Sequence, residues 1–168
     1  ILILYCKDSN SAKKWEIACS KIGLEYYSLD ISFHNWLEII NRYKPDLILL
    51  RPPGDIEINK IMFDERIYIL SQILKYKTFP LYQENIIYEN KKMLSYYLEA
   101  LGIPHPKTYV FYNKEEAIEY LYDAKYPVVM KSSIGASGTG VFICKSIKEA
   151  NKYVDRAFSK KGIPMYIG

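Results

Sequence analysis

The chain of 168 residues is short of several things. Arginine is scarce: four of the 23 basic residues, the rest being lysine. The basic residues are spread along the chain among Asp and Glu, and the net charge is only +4. A nucleic-acid binder concentrates its cations in a stripe, so no nucleic-acid partner is expected. There are three cysteines (Cys6, Cys19, Cys144) and two histidines, with no CxxC pair and no His cluster. That argues against a disulfide framework or a zinc site and fits a reducing cytoplasm. No apolar run approaches the ~20 residues that cross a bilayer. Ile1–Leu4 is too short for a secretory signal and lacks a basic flank. No membrane partner is expected.

What is abundant is packing material. Apolar residues make up 49% of the chain, charged residues 25%, and Tyr occurs 17 times, which argues for a folded core rather than disorder. The length allows one large domain or two small ones.

Apolar runs alternate with helical patterns over residues 1–85. Ile1–Tyr5 reads as a buried strand. Trp15, Ala18, Cys19 and Ile22 recur at helical spacing before Gly23. Glu25–Leu29 reads as a second strand, and Ser32 as the cap of a helix bearing Trp36, Leu37, Ile40 and Tyr43. Asp46–Leu50 is the strongest strand of this half. Ile61–Leu74 reads as a long helix with Ile67, Leu70 and Leu74 inward, and Phe79–Tyr82 as a short fourth strand. This βαβαβαβ order predicts a parallel sheet covered by helices. The turn after the first strand, Cys6-Lys7-Asp8-Ser9-Asn10, has no glycine, so the GxGxxG fingerprint is absent and neither NAD nor FAD is predicted.

A helix over Lys91–Leu101, capped by Asn90 and with Leu94, Leu98 and Leu101 on one face, ends at Gly102 and two prolines. Beyond it, Lys107–Tyr112 reads as a strand. Asn113 with Glu116, and Ser146 with Glu149, are capping signals for two helices. Between those helices lie two strands, Pro127–Lys131 and Val141–Cys144, joined by a loop of small residues and expected to pair as an antiparallel hairpin.

That loop carries chemistry. Gly135, Gly138 and Gly140 stand among Ser132, Ser133, Ser137 and Thr139. Backbone N–H groups there can approach a phosphate closely, because no Cβ intervenes. Lys131 ends a strand expected to be largely buried, where an ammonium needs solvent or an anion to meet it. A Walker loop is excluded: the lysine precedes the glycines and a strand follows them. Arg51, directly after the strongest strand, is a candidate clamp for a substrate carboxylate, the other reading being a surface arginine in a Pro-rich turn.

The run Asn90-Lys91, Leu98, Gly102-Ile103-Pro104-His105-Pro106, then Pro127-Val128-Val129-Met130-Lys131 and the Gly/Ser loop resembles the ATP-grasp family. The resemblance implies a Rossmann-like α/β pre-ATP-grasp domain with a parallel sheet over residues 1–87. It implies a small α+β first ATP-grasp subdomain with a glycine-rich hairpin over 88–168, an incomplete ATP-grasp fold. It implies ATP contacts from Lys91, Lys131, Gly135, Ser137, Gly138 and Gly140. Asn90 stands where the family usually has Asp, and Ser132 where Pro often follows the lysine. The activity implied is a ligase that activates a carboxylate as an acyl phosphate for attack by an amine or other nucleophile. Its partners would be those small molecules. The alternative is a non-catalytic nucleotide-binding or interaction module. Mg²⁺ is expected with the ATP, its ligands and the adenine hinge lying outside this chain, so no metal ligand is assigned here. The start at Ile1 and the strand-like Met165-Tyr166-Ile167-Gly168 lead us to expect a fragment that is not catalytically competent alone.

Overall fold

A computed structural model describes residues 1–54, 56–135, 138 and 140–159. Ile1–Tyr88 forms one compact unit, and the described residues from Glu89 onward form another.

The first unit is a doubly covered parallel sheet. Its strands are β1 (Leu2–Tyr5), β2 (Tyr27–Asp30), β3 (Ile48–Leu50) and β4 (Thr78–Phe79), in the order β2-β1-β3-β4. All pairings are parallel, with Leu4 opposite both Leu29 and Leu50. Side chains alternate across a strand, so β1 feeds two cores. Leu2 and Leu4 pack with Ile40, Phe63, Ile67 and Leu70 from α2 (Trp36–Tyr43), α3 (Glu57–Tyr68) and the helical turn that follows α3. Ile3 points the other way, onto Ala12 and Cys19 around α1 (Lys13–Lys21). Burial on both faces is why these strands read as continuous apolar runs.

Several local expectations are corrected. The inward stripe of α1 is Ala12, Trp15 and Cys19, and both Ala18 and Ile22 are exposed. Ser32 does not cap α2. Its N–H donates to Asp30 Oδ1 at 2.9 Å in a turn closing β2, and the helix starts only at Trp36. Leu74 is exposed, because α3 widens into a π-helical turn over Ile69–Ile73, closed by Leu74 N–H to Ile69 O. The extra residue in that turn rotates Leu74 off the stripe. Tyr82 belongs to α4 (Tyr82–Ile87), not to β4.

The second unit contains α5 (Lys91–Ala100), α6 (Lys114–Asp123), β5 (Val128–Lys131), β6 (Val141–Cys144) and α7 (Ile147–Ala157). β5 and β6 pair antiparallel, Lys131 opposite Val141 and Val128 opposite Cys144, as the hairpin expectation required. Ala117, Leu121, Cys144, Ala150 and Val154 form the core between the hairpin and its helices. Asn113 Oδ1 accepts from Glu116 N–H at 3.0 Å, Ser146 Oγ accepts from Glu149 N–H at 3.4 Å, and both helices begin there.

Three expectations fail here. β5 is not buried throughout: Val129 is exposed, as is its partner Ile143, because helices cover only one face of the two-stranded sheet among the described residues. Lys107–Tyr112 has no ladder among the described residues. Its rings find partners instead, Tyr109 lying 4.5 Å and Phe111 5.4 Å from Tyr120. On α5, Leu94 and Leu101 are exposed, and Ser95 is the buried residue.

Candidate functional site

The second unit brings the start of α5 against the chain leaving β5. Asn90 does this. Its Oδ1 caps α5 by accepting from Met93 N–H at 3.1 Å and also accepts from Ser133 Oγ–H at 3.4 Å. A β-bridge joins Asn90 to Ile134, and Lys91 N–H donates to Ser133 O at 2.8 Å. Asn has no charge to lose in either role, so the departure from Asp leaves the cap intact.

These contacts fix Lys91. As the first residue of α5 it is half-buried, and its Nζ donates to the Gly135 carbonyl at 2.6 Å. Its pKa is held below the ordinary lysine value, first by burial and then by Lys131, with Glu89 acting in the opposite direction. Lys131 is therefore close enough for repulsion to be felt. It ends β5 exposed to solvent, so burial does not compel an anion to meet it. What marks the pair is proximity: two ammonium groups, one from a helix start and one from a strand end, near enough to repel.

The far limb of the loop is set by Gly140. Its φ is +72°, and an added Cβ would lie 2.9 Å from Ser132 Cβ and overlap Ser132 Oγ. Only glycine combines that backbone with that approach. The Gly140 carbonyl accepts from Ser132 N–H at 2.9 Å and from Tyr153 Oη at 3.1 Å. Burial pushes the Tyr153 phenol up to about 12. Gly138 is exposed at the loop, and Ser137 lies outside the described residues. Lys91, Lys131, Gly135 and Gly140 are thus brought into one neighbourhood. Arg51 belongs to the first unit, exposed beside a cleft of its own. Among the described residues no three His, Cys, Asp or Glu side chains gather as a metal centre, and no helix is long and apolar enough to cross a membrane.

Sequence reasoning missed Ser132, Ser133 and Tyr153 as loop supports. Tyr153 beside Val154 on an inward helix stripe was the available signal. It also missed a buried cluster in the first unit. Lys60 is fully buried on α3, with Nζ 2.5 Å from Asp64 and 3.1 Å from the Asn85 carbonyl. A Lys and an Asp four apart on a helix read as a surface pair, and nothing local announces otherwise.

Comparison with known proteins bears on the second unit first. The family model for the phosphoribosylglycinamide synthetase ATP-grasp (A) domain matches residues 89–164. Over those residues the chain is similar to the ATP-grasp family. A carbamoyl phosphate synthase large chain from Pyrococcus furiosus is 35% identical over 66 residues, 39% of this chain and 6% of that one. A phosphoribosylamine–glycine ligase from Archaeoglobus fulgidus is 32% identical over 83 residues, 49% of this chain and 18% of that one. The chain therefore spans less than a fifth of either relative. Among solved structures, the biotin carboxylase domain of Hydrogenobacter thermophilus 2-oxoglutarate carboxylase, in complex with MgADP, ADP and bicarbonate, aligns with a TM-score of 0.65 at 14% identity. That alignment covers 96% of this chain and 42% of that one. At such identity it is the ATP-grasp fold that is shared.

Proposed function

We propose that the chain is the ATP-binding portion of an ATP-grasp ligase that activates a carboxylate for attack by an amine or another nucleophile. In this reading residues 1–87 are the pre-ATP-grasp domain and 88–168 the first ATP-grasp subdomain. The observation that carries it is the proximity of Lys91 and Lys131 beside the glycine loop. Two like charges brought together, one already depressed in pKa, are a destabilised arrangement that a polyphosphate would relieve. The residues fit such a group: two ammonium donors act as point charges beside a glycine-rich loop.

Phosphoryl transfer asks mainly for positioning and charge neutralisation, and these residues are suited to both. Lys91, held by α5 and the Gly135 carbonyl, is the preplaced cation. Lys131 stands exposed at the end of β5 and can reorient toward the nucleotide. In the reaction a carboxylate oxygen would bond to the γ-phosphorus as ADP leaves, and the nucleophile would then displace phosphate from the acyl group. Mg²⁺ accompanies the nucleotide. The partners are small molecules, and three buried thiols fit a reducing cytoplasm.

The test is calorimetric titration of the full chain with ATP·Mg²⁺. Lys131→Ala and Lys91→Ala should each weaken binding by about 10- to 100-fold, the scale of a charge-assisted hydrogen bond. Nucleotide should also raise the Lys91 pKa, read by NMR at the lysine side chain. Unchanged ATP affinity in Lys131→Ala would sink the assignment.

A further inference from the structure

The first unit contains a cleft whose chemistry the nucleotide reading does not use. It opens beyond the carboxyl ends of β3 and β4 and encloses about 360 Å³, within the range of small-molecule pockets. In open parallel sheets ligands bind at that end, where the strand order changes direction. Here the change falls between β1 and β3: the chain steps from β1 to β2 on one side and returns to β3 and β4 on the other. The cleft sits at that place. α1, which follows β1, contributes Trp15, and Arg51 follows β3 directly.

Its polar groups are few and of both signs. The Arg51 guanidinium makes no hydrogen bond or ion pair among the described residues. Glu84 lines the same cleft, with Oε2 accepting from Leu81 N–H at 2.8 Å, which leaves its second oxygen. Asn85, also lining it, is 1% exposed. Its Nδ2 donates to Asp64 at 2.9 Å, and its Oδ1 has no partner among the described residues. A buried acceptor without a partner is uncommon. Lys60, donating to the Asn85 carbonyl, ties this residue to α3.

We propose that this cleft binds a free α-amino acid or a close zwitterionic relative. The carboxylate lies on Arg51 and the ammonium is met by Glu84, with Trp15 and Tyr88 beside the ligand's side chain. A plain carboxylate would satisfy Arg51 and be repelled by Glu84, and a plain amine the reverse. Only a ligand with both charges satisfies both walls. The binding is a property of the first unit. Its standing as a substrate site rests on the ligase reading, which requires an acid and an amine.

The experiment is calorimetric titration of the full chain, without nucleotide, against a panel of free L-amino acids. Each is matched with its N-acetyl derivative and its carboxamide. At least one amino acid should bind about tenfold or more tightly over both matched analogues, as expected for losing one charge-assisted contact. Arg51→Ala should abolish that binding. Glu84→Gln, which keeps an acceptor for Leu81 N–H, should erase the preference over the N-acetyl analogue. Arg51→Lys, which keeps the charge without the fork, should fall between. Absence of binding by every amino acid, or binding that Arg51→Ala and Glu84→Gln leave unchanged, overturns the proposal. ATP titrated into the same samples separates the two readings. ATP binding without amino-acid binding refutes only this site, and the converse refutes only the nucleotide reading.

Discussion

Removing Asp64 should damage the first unit far more than removing its partner Lys60. The Lys60 side chain has no exposure at all, while that of Asp64 keeps 15%. The ammonium reaches both Asp64 oxygens at 2.5 Å and one neutral acceptor, the Asn85 carbonyl. Asp64→Ala leaves it buried with that acceptor alone. Lys60→Met leaves a carboxylate that still has the Asn85 amide and a route to water. Breaking a buried pair from the side that strands the charge costs about 3–5 kcal/mol. Lys60→Met should cost no more than about 2 kcal/mol, the loss of a charged hydrogen bond partly offset by apolar packing. Against a typical total of about 5–15 kcal/mol, the first loss is a large fraction. With a urea slope of about 2 kcal/mol per M, the midpoint of Asp64→Ala falls by about 1.5–2.5 M. Both tryptophans, Trp15 and Trp36, lie in the first unit, so their fluorescence follows its unfolding. The pH response has a definite sign. Burial holds the Lys60 pKa below its ordinary 10.5, so the unfolded chain binds the extra proton and stability rises as pH climbs toward that value. The deficit of Asp64→Ala should therefore narrow between neutral pH and about pH 10. A loss under about 1 kcal/mol, or a Lys60→Met variant equally damaged, would refute the reasoning, since it would mean that the ammonium reaches water.

Two further outcomes follow for the second unit. The Tyr153 phenol is pushed up to about 12 from an ordinary 10.0, so the folded state keeps a proton that the unfolded state has lost. Stability held below pH 10 should decline from there toward pH 12, and Tyr153→Phe should flatten that slope in circular-dichroism melts. Gly140→Ala combines a left-handed backbone with a Cβ forced onto Ser132, and should destabilise the hairpin by about 1–3 kcal/mol. Hydrogen exchange at Val141 N–H and Ser132 N–H measures it, and protection equal to the parent would contradict the packing described.

Where local chemistry sufficed, the reading of the sequence held. Asn90, Asn113 and Ser146 cap the helices expected of them, whereas Ser32, drawn into the turn after β2, does not. The antiparallel pairing of β5 with β6 follows from two apolar runs around a short glycine loop. Where a stripe had to be judged without knowing what covers it, the reading slipped. Ala18, Leu74, Leu94 and Leu101 are exposed, and Val129 alternates outward. Lys107–Tyr112 has strand-like composition, and among the described residues no neighbour pairs with it.

The sequence by itself determined the alternation that makes a parallel sheet, the glycines that let the loop turn, and the lysines that mark the nucleotide site in our proposal. These are properties of spacing and of single residues. Only the tertiary structure decided that Lys91 rests on the Gly135 carbonyl, 44 residues away, close enough to Lys131 to feel its charge. Only it decided that Lys60 lies at the bottom of a core while Arg51 stands exposed over a cleft. Burial and long-range proximity are set by which surfaces meet, and a charge takes its chemical meaning from what surrounds it.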